Sequence, residues 1–100
     1  PTSELLGKNK NVYLDQGSTL NLTCVVHFSP TAPEFILWYH RDKLVDYRKK
    51  GRDISVKTVH EGDTTYSSLL VQNATLRDSG KYSCKPSNAN IASVQVHVLR

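Results

Sequence analysis

Polar and apolar residues alternate along most of this chain. From Ser18 to Val26, Leu20, Leu22, Cys24 and Val26 fall on one side, and Asn21, Thr23 and Val25 on the other. A period of two is that of a strand with one face turned to a core. Ile54 and Val56 alternate with Ser55 and Lys57, Leu69 and Val71 with Ser68, Leu70 and Gln72, and Val94, Val96 and Val98 with Ser93, Gln95 and His97. Ile36, Trp38 and His40 share one side of a strand whose other side carries Leu37 and Tyr39, and Val12 and Leu14 mark a short strand near the start. Turn residues separate these runs: Gln16-Gly17-Ser18, Ser29-Pro30-Thr31-Ala32-Pro33, Arg41-Asp42-Lys43 before Leu44-Val45, Glu61-Gly62-Asp63, and a hairpin loop at Ser87-Asn88-Ala89-Asn90. No run has both helical length and a 3.6 period; a single turn at Thr75-Leu76-Arg77-Asp78 is the exception. About eight short strands closely spaced by turns predict an all-β sandwich or barrel.

Composition narrows the class. The chain has 100 residues, enough for one small domain with one core. Its 38% hydrophobic and 22% charged residues argue against disorder. The excess of 13 Lys and Arg over 9 Asp and Glu is modest, and nucleic-acid binding would call for a denser basic patch with aromatics between. No stretch has the apolar length of a membrane span. The chain opens at Pro1 without a leader and reads as a piece of a longer protein, its targeting and anchoring segments lying outside and Pro1 to Ser3 ending an interdomain linker. Two cysteines, Cys24 and Cys84, lie in strand-like stretches, and by themselves they allow either a disulfide or two reduced buried thiols.

The order Cys24…Trp38…Asp78-Ser79-Gly80-Lys81-Tyr82-Ser83-Cys84 resembles the immunoglobulin superfamily over essentially the whole chain. The resemblance implies a Cys24–Cys84 disulfide between two antiparallel sheets, with Trp38 packed on it. Tyr82, two residues before the second cysteine, matches the tyrosine corner, Gly80 suits the tight turn before it, and Asp78 is placed to bond backbone donors or to pair with Arg52. The stretch from Trp38 to Leu69 is too short for the extra edge strand of antibody variable domains. The expected fold is therefore an immunoglobulin-like β-sandwich of the intermediate type.

Longer stretches carry a finer resemblance: Gly17-Ser-Thr-Leu-Asn-Leu-Thr-Cys24, Phe28-Ser-Pro30, Pro33-Glu-Phe-Ile-Leu-Trp-Tyr-His40, Gly62-Asp-Thr-Thr65, Leu69-Leu-Val-Gln-Asn-Ala74 and Asp78-Ser-Gly-Lys-Tyr-Ser-Cys-Lys-Pro-Ser-Asn-Ala89. Together they resemble the second, membrane-proximal immunoglobulin domain of the defective proboscis extension response (Dpr) family of neuronal surface proteins. IgLON-like and nematode zig-like adhesion modules, and soluble immune-type recognition domains, are similar alternatives. The resemblance implies a non-catalytic part of a cell-adhesion receptor at the cell surface, anchored outside this segment. Its partners would be the Dpr-interacting proteins, themselves of the immunoglobulin superfamily, met mainly through a first domain that this chain lacks.

Candidate sites follow from the same patterns. Asn21-Leu-Thr23 and Asn73-Ala-Thr75 are N-glycosylation sequons, Asn21 by alternation facing away from the core and Asn73 falling at a turn. Leu37 and Tyr39 form an outward apolar spot on a sheet that binds partners in many immunoglobulin domains. Arg48-Lys-Lys-Gly-Arg52 is a basic loop, read as a solvated turn with Arg52 taken by Asp78. His27, His40, His60 and His97 lack metal-ligand spacing, although a sandwich could bring His40 towards His97. No nucleophile elbow, paired carboxylates or glycine-rich phosphate loop frames the Ser, His and Asp residues, so no catalytic group, cofactor or metal is expected.

Overall fold

A computed structural model describes residues 1–7, 10–47 and 51–100. Nine strands appear among them: β1 (Thr2–Leu5), β2 (Asn11–Asp15), β3 (Leu20–His27), β4 (Ile36–His40), β5 (Lys43–Leu44), β6 (Ile54–Glu61), β7 (Thr64–Val71), β8 (Gly80–Pro86) and β9 (Ala92–Leu99), with one 3₁₀ turn at Leu76–Asp78. They form a four-stranded sheet in the order β1-β3-β7-β6 and a five-stranded sheet in the order β2-β9-β8-β4-β5. All pairings are antiparallel except β2 with β9, which run parallel. The start of the chain therefore serves both sheets, β1 edging one and β2 the other. With β5 only two residues long, this is the intermediate-type sandwich that the spacing predicts.

The alternation sets the register. Leu20 stands opposite Val71, Leu22 opposite Leu69 and Cys24 opposite Ser67, while Trp38 stands opposite Cys84 and Tyr82 opposite Val94. All of these but Ser67, with Val96, Val98 and Ala74, make one buried apolar cluster between the sheets. A slip of one residue in any strand would turn its apolar set to water, so burial holds the register. The Cys24–Cys84 disulfide crosses this cluster with a Cα–Cα separation of 6.3 Å. Trp38 is almost fully buried, and its indole Nε1 donates to Ser67 Oγ at 3.0 Å. Ser67, fully buried, also accepts from Thr58 Oγ1 at 3.2 Å. The core's only indole N–H is thus satisfied inside it.

The structure departs from the sequence reading at the start of the chain. Thr2 and Ser3 belong to β1 and not to a linker, because Thr2 to Leu5 pair with His27 to Cys24. That pairing makes β3 an interior strand. Val25, expected on the open face, is 2% exposed, flanked in the ladder by Glu4 of β1 and Tyr66 of β7. Polar and mixed residues at Thr2–Leu5 hide the strand from periodicity alone; only the partner reveals it.

Candidate functional site

The most densely bonded place is the corner between β7 and β8. Tyr82 Oη donates to the Asp78 carbonyl at 2.7 Å from a fully buried ring. Burial pushes the Tyr82 hydroxyl well above the usual phenol range; the Asp78 carboxylate adds to this, while Arg52 and Arg41 pull the other way. The Asp78 carboxylate, itself buried, accepts from Arg52 Nη2 at 2.8 and 3.0 Å and from the Thr75 backbone N–H at 2.8 Å. Next to it, the Ser79 carbonyl accepts from His40 Nε2 at 2.8 Å and Arg41 Nε at 3.1 Å, and Ser79 Oγ accepts from the Val98 N–H at 2.9 Å. His40 Nε2 therefore carries a proton, and its ring stacks on Tyr82 with centroids 4.3 Å apart. Gly80 has φ +126, and a Cβ there would come within 2.7 Å of Arg41 Nε and 3.2 Å of His40 Nε2. The signature Asp78, Gly80 and Tyr82 thus locks the far ends of the two sheets together. The Tyr82, His40, Arg41 and Arg52 protons named here are all engaged in hydrogen bonds within the domain.

The outer face of the five-stranded sheet holds the predicted spot. Leu37 stands opposite Lys85, and Tyr39 stands between Ser83 and Leu44. Both are half-buried, and Leu44, more exposed, extends the apolar area towards the β5 edge. Lys81 and Lys85 flank it. At the other edge of this face, Tyr13 stacks on His97 with centroids 4.7 Å apart, and His97 Nε2 lies 2.9 Å from Asn11 Oδ1. His40 and His97 are not brought together: one turns inward onto Tyr82, the other outward onto Tyr13. Among the described residues no group of three His, Cys, Asp or Glu could hold a metal ion.

The sequons lie on different surfaces. Asn21 is exposed on the outer face of the four-stranded sheet, opposite Leu70, and Thr23 of its sequon bonds Ser68 Oγ at 3.0 Å. Asn73 is exposed just after β7 with φ 51, a left-handed conformation that asparagine tolerates. Of the basic loop, Arg52 is the partner of Asp78; Arg48, Lys49 and Lys50 lie outside the described residues. A groove of about 730 Å³ opens between the sheets, lined by Trp38, Leu44, Val45, Tyr47, Val56 and Thr58 among others. Sequence reasoning missed it, since it lies between β5 and β6, which are distant in the ladders. Its lining is mostly apolar, with Asp46, Tyr47 and Thr58 as the polar members.

The corner, the disulfide and the split first strand define an immunoglobulin-type module. The sequence matches the immunoglobulin domain family over residues 10–93, and the chain belongs to that family. It is 36% identical over 72 residues to M-protein of striated muscle from Gallus gallus, and 29% identical over 84 residues to contactin-3 from Rattus norvegicus. These matches cover 72% and 84% of this chain but only 4% and 8% of those relatives, so the chain spans a small part of their length. Among solved structures, Dpr2 Ig1-Ig2 in complex with DIP-Theta Ig1-Ig3 matches all of this chain and 51% of that one, with a TM-score of 0.81 and 27% identity. The ectodomain of BTLA matches with a TM-score of 0.71 at 19% identity, a likeness of fold alone. Immunoglobulin domains are typically non-catalytic structural and recognition modules. Among the described residues no helix is long and apolar enough to cross a membrane.

Proposed function

We propose that this chain is the second, membrane-proximal immunoglobulin domain of a Dpr-like neuronal adhesion receptor at the cell surface. Its role there is to support and space a distal domain that pairs with immunoglobulin-superfamily partners of the Dpr-interacting kind. The carrying observation is the Dpr2 match: complete coverage of this chain and half of a two-domain one, at a TM-score of 0.81. The Trp38-Tyr39-His40 run and the Pro86-Ser87-Asn88-Ala89 hairpin support the same family.

The outer faces support a spacer. A glycan on Asn21 would cover the open side of the four-stranded sheet. The other sheet offers Leu37, Tyr39 and Leu44 between lysines. A stable interface buries about 800 Å² per partner around a cluster of aromatic anchors, and this spot has one. The test is an immobilised Dpr-interacting ectodomain titrated with this chain and, in parallel, with the full ectodomain. Binding by the full ectodomain alone is expected. Micromolar binding by this chain, abolished by Tyr39→Ala, would make the Leu37–Tyr39 face the recognition site and overturn the spacer role.

The M-protein match favours a second reading, a structural module of muscle. The Cys24–Cys84 disulfide supports the first, since disulfides persist in oxidising compartments such as the cell exterior.

A further inference from the structure

Each sheet ends in two edge strands, and three of the four are short: β1 has four residues, β2 five and β5 two. The fourth, β6, has eight residues and pairs on one side only, with β7. An open strand edge is a template for pairing with another chain, and proteins commonly blunt it with proline, a bulge, a charge or short length. β6 contains neither proline nor glycine, pairs with β7 in unbroken register, and is exposed at every residue from Lys57 to Glu61. Lys57 is its one blunting feature, and that lysine has a match on the same strand.

The ladder shows which groups face outward. The Gln72 N–H donates to the Asp53 carbonyl at 3.0 Å, so the odd-numbered residues of β6 turn their backbone groups to β7. The N–H and C=O of Ile54, Val56, Thr58 and His60 therefore point to the open edge. Side chains alternate independently of this. Thr58 bonds the buried Ser67, so Lys57, Val59 and Glu61 stand on the outer face. Val59, 37% exposed, lies opposite Tyr66, 39% exposed, and Tyr66 lies opposite Val25.

This edge complements itself. Consider a second copy laid antiparallel along it, the two Val59 residues facing each other. Thr58 then stands opposite the partner's His60 and Lys57 opposite the partner's Glu61, each twice by symmetry. Thr58 and His60 carry outward backbone groups, so about four ladder hydrogen bonds form between the copies. The Lys57–Glu61 and Val59–Val59 pairs fall at the non-hydrogen-bonded positions, where opposed side chains come closest. Tyr66 and Val59 of both copies join in one apolar row. Neighbouring registers lose this match. Centred on Lys57, two lysines face each other; centred on Thr58 or His60, Val59 faces Lys57 or Glu61.

From this self-complementarity we infer that the β6 edge pairs with a second copy of this chain, joining two four-stranded sheets into one continuous sheet. The contact lies in the plane of the sheet, so a glycan over its face at Asn21, two strands away on β3, leaves it open. A pairing of this length buries less than about 1,200 Å², the size of a transient association. The inference rests on register and charge, and it stands or falls apart from the receptor reading above.

The test is sedimentation equilibrium of this chain from about 20 micromolar to about 1 mM, beside Lys57→Glu, Glu61→Lys and the double exchange. Wild type is expected to show a monomer–dimer equilibrium. Each single variant sets like charges opposite each other and should weaken dimerisation about tenfold or more, and the double exchange should recover it. Both sites are exposed, so the fold is retained. Amide hydrogen exchange, followed by NMR, should slow about threefold or more at Thr58 and His60 at the higher concentration; Lys57 and Val59, already bonded to β7, should not change. A monomer at about 1 mM would overturn the edge pairing. So would a dimer indifferent to Lys57→Glu, or a double exchange that fails to recover association.

Discussion

Removing one oxygen, in Tyr82→Phe, tests whether the corner works as its geometry indicates. The ring of Tyr82 is 2% exposed and its hydroxyl donates to the Asp78 carbonyl at 2.7 Å. Phenylalanine keeps the ring and its stack on His40 but leaves that carbonyl short of a partner. An unmade hydrogen bond of this kind costs about 1–3 kcal/mol, and that is the loss expected at neutral pH. A second consequence depends on pH. Burial, aided by the Asp78 carboxylate, raises the Tyr82 hydroxyl above its ordinary value, so the folded state holds the proton after the unfolded chain has released it. Above an ordinary phenol value of ~10, the unfolded state thus binds fewer protons, and stability falls as pH rises, by up to about 1.4 kcal/mol per unit for this one group. Below that value the contribution is fully present. The Phe variant lacks the group, so the stability gap between wild type and variant should narrow from pH 9 to 11.5. The assay is urea unfolding followed by the fluorescence of Trp38, the only tryptophan, with the disulfide intact. A gap that stays constant across this range would show that the Tyr82 proton is not held by the fold.

Other outcomes are as specific. Trp38→Ala should cost about 3–5 kcal/mol and Leu37→Ala far less, because the first side chain fills the core and the second is half-buried on the outer face; equal losses in urea unfolding would mean the register of β4 is misassigned. Asn21 should carry a glycan when the protein is secreted from insect cells, read by peptide mapping with and without glycosidase; full occupancy by unmodified asparagine would count against the secretory reading. Gly80→Ala should destabilise by about 1–3 kcal/mol in thermal unfolding, since its φ of +126 and the nearby Arg41 side chain both oppose a Cβ; a neutral result would show that Arg41 moves aside freely.

Much of the fold is legible because three constraints coincide. Alternation places Leu20, Leu22 and Cys24 against Val71, Leu69 and Ser67, and only one register buries them all. The Trp38 indole and Tyr82 hydroxyl, both needing partners once buried, find Ser67 and Asp78. The Arg52–Asp78 pair follows from chemistry, since a carboxylate with 7% of its side chain exposed requires a cation or several donors. What stays hidden depends on partners distant in sequence. The strand Thr2–Leu5 carries one buried side chain, Ser3, and no apolar alternation, so β3 decides its place. Val25 is buried as a consequence, and the groove beside β5 and β6 exists only once the two sheets are stacked.

The two ends of the sandwich illustrate why core patterns reveal fold more readily than function. At the Tyr82 end the positive φ of Gly80 has an internal reason: the missing Cβ leaves room for Arg41 and His40, whose nitrogens bond the Ser79 carbonyl. At the opposite end, Phe28 is 74% exposed with φ 57. A positive φ holds an aromatic ring in water, although the hydrogen bonds that fix Ser29, Ser87 and Asn90 would hold equally well with a small polar residue at position 28. Gly80 takes its positive φ without strain, because it has no Cβ, whereas Phe28 has no such freedom.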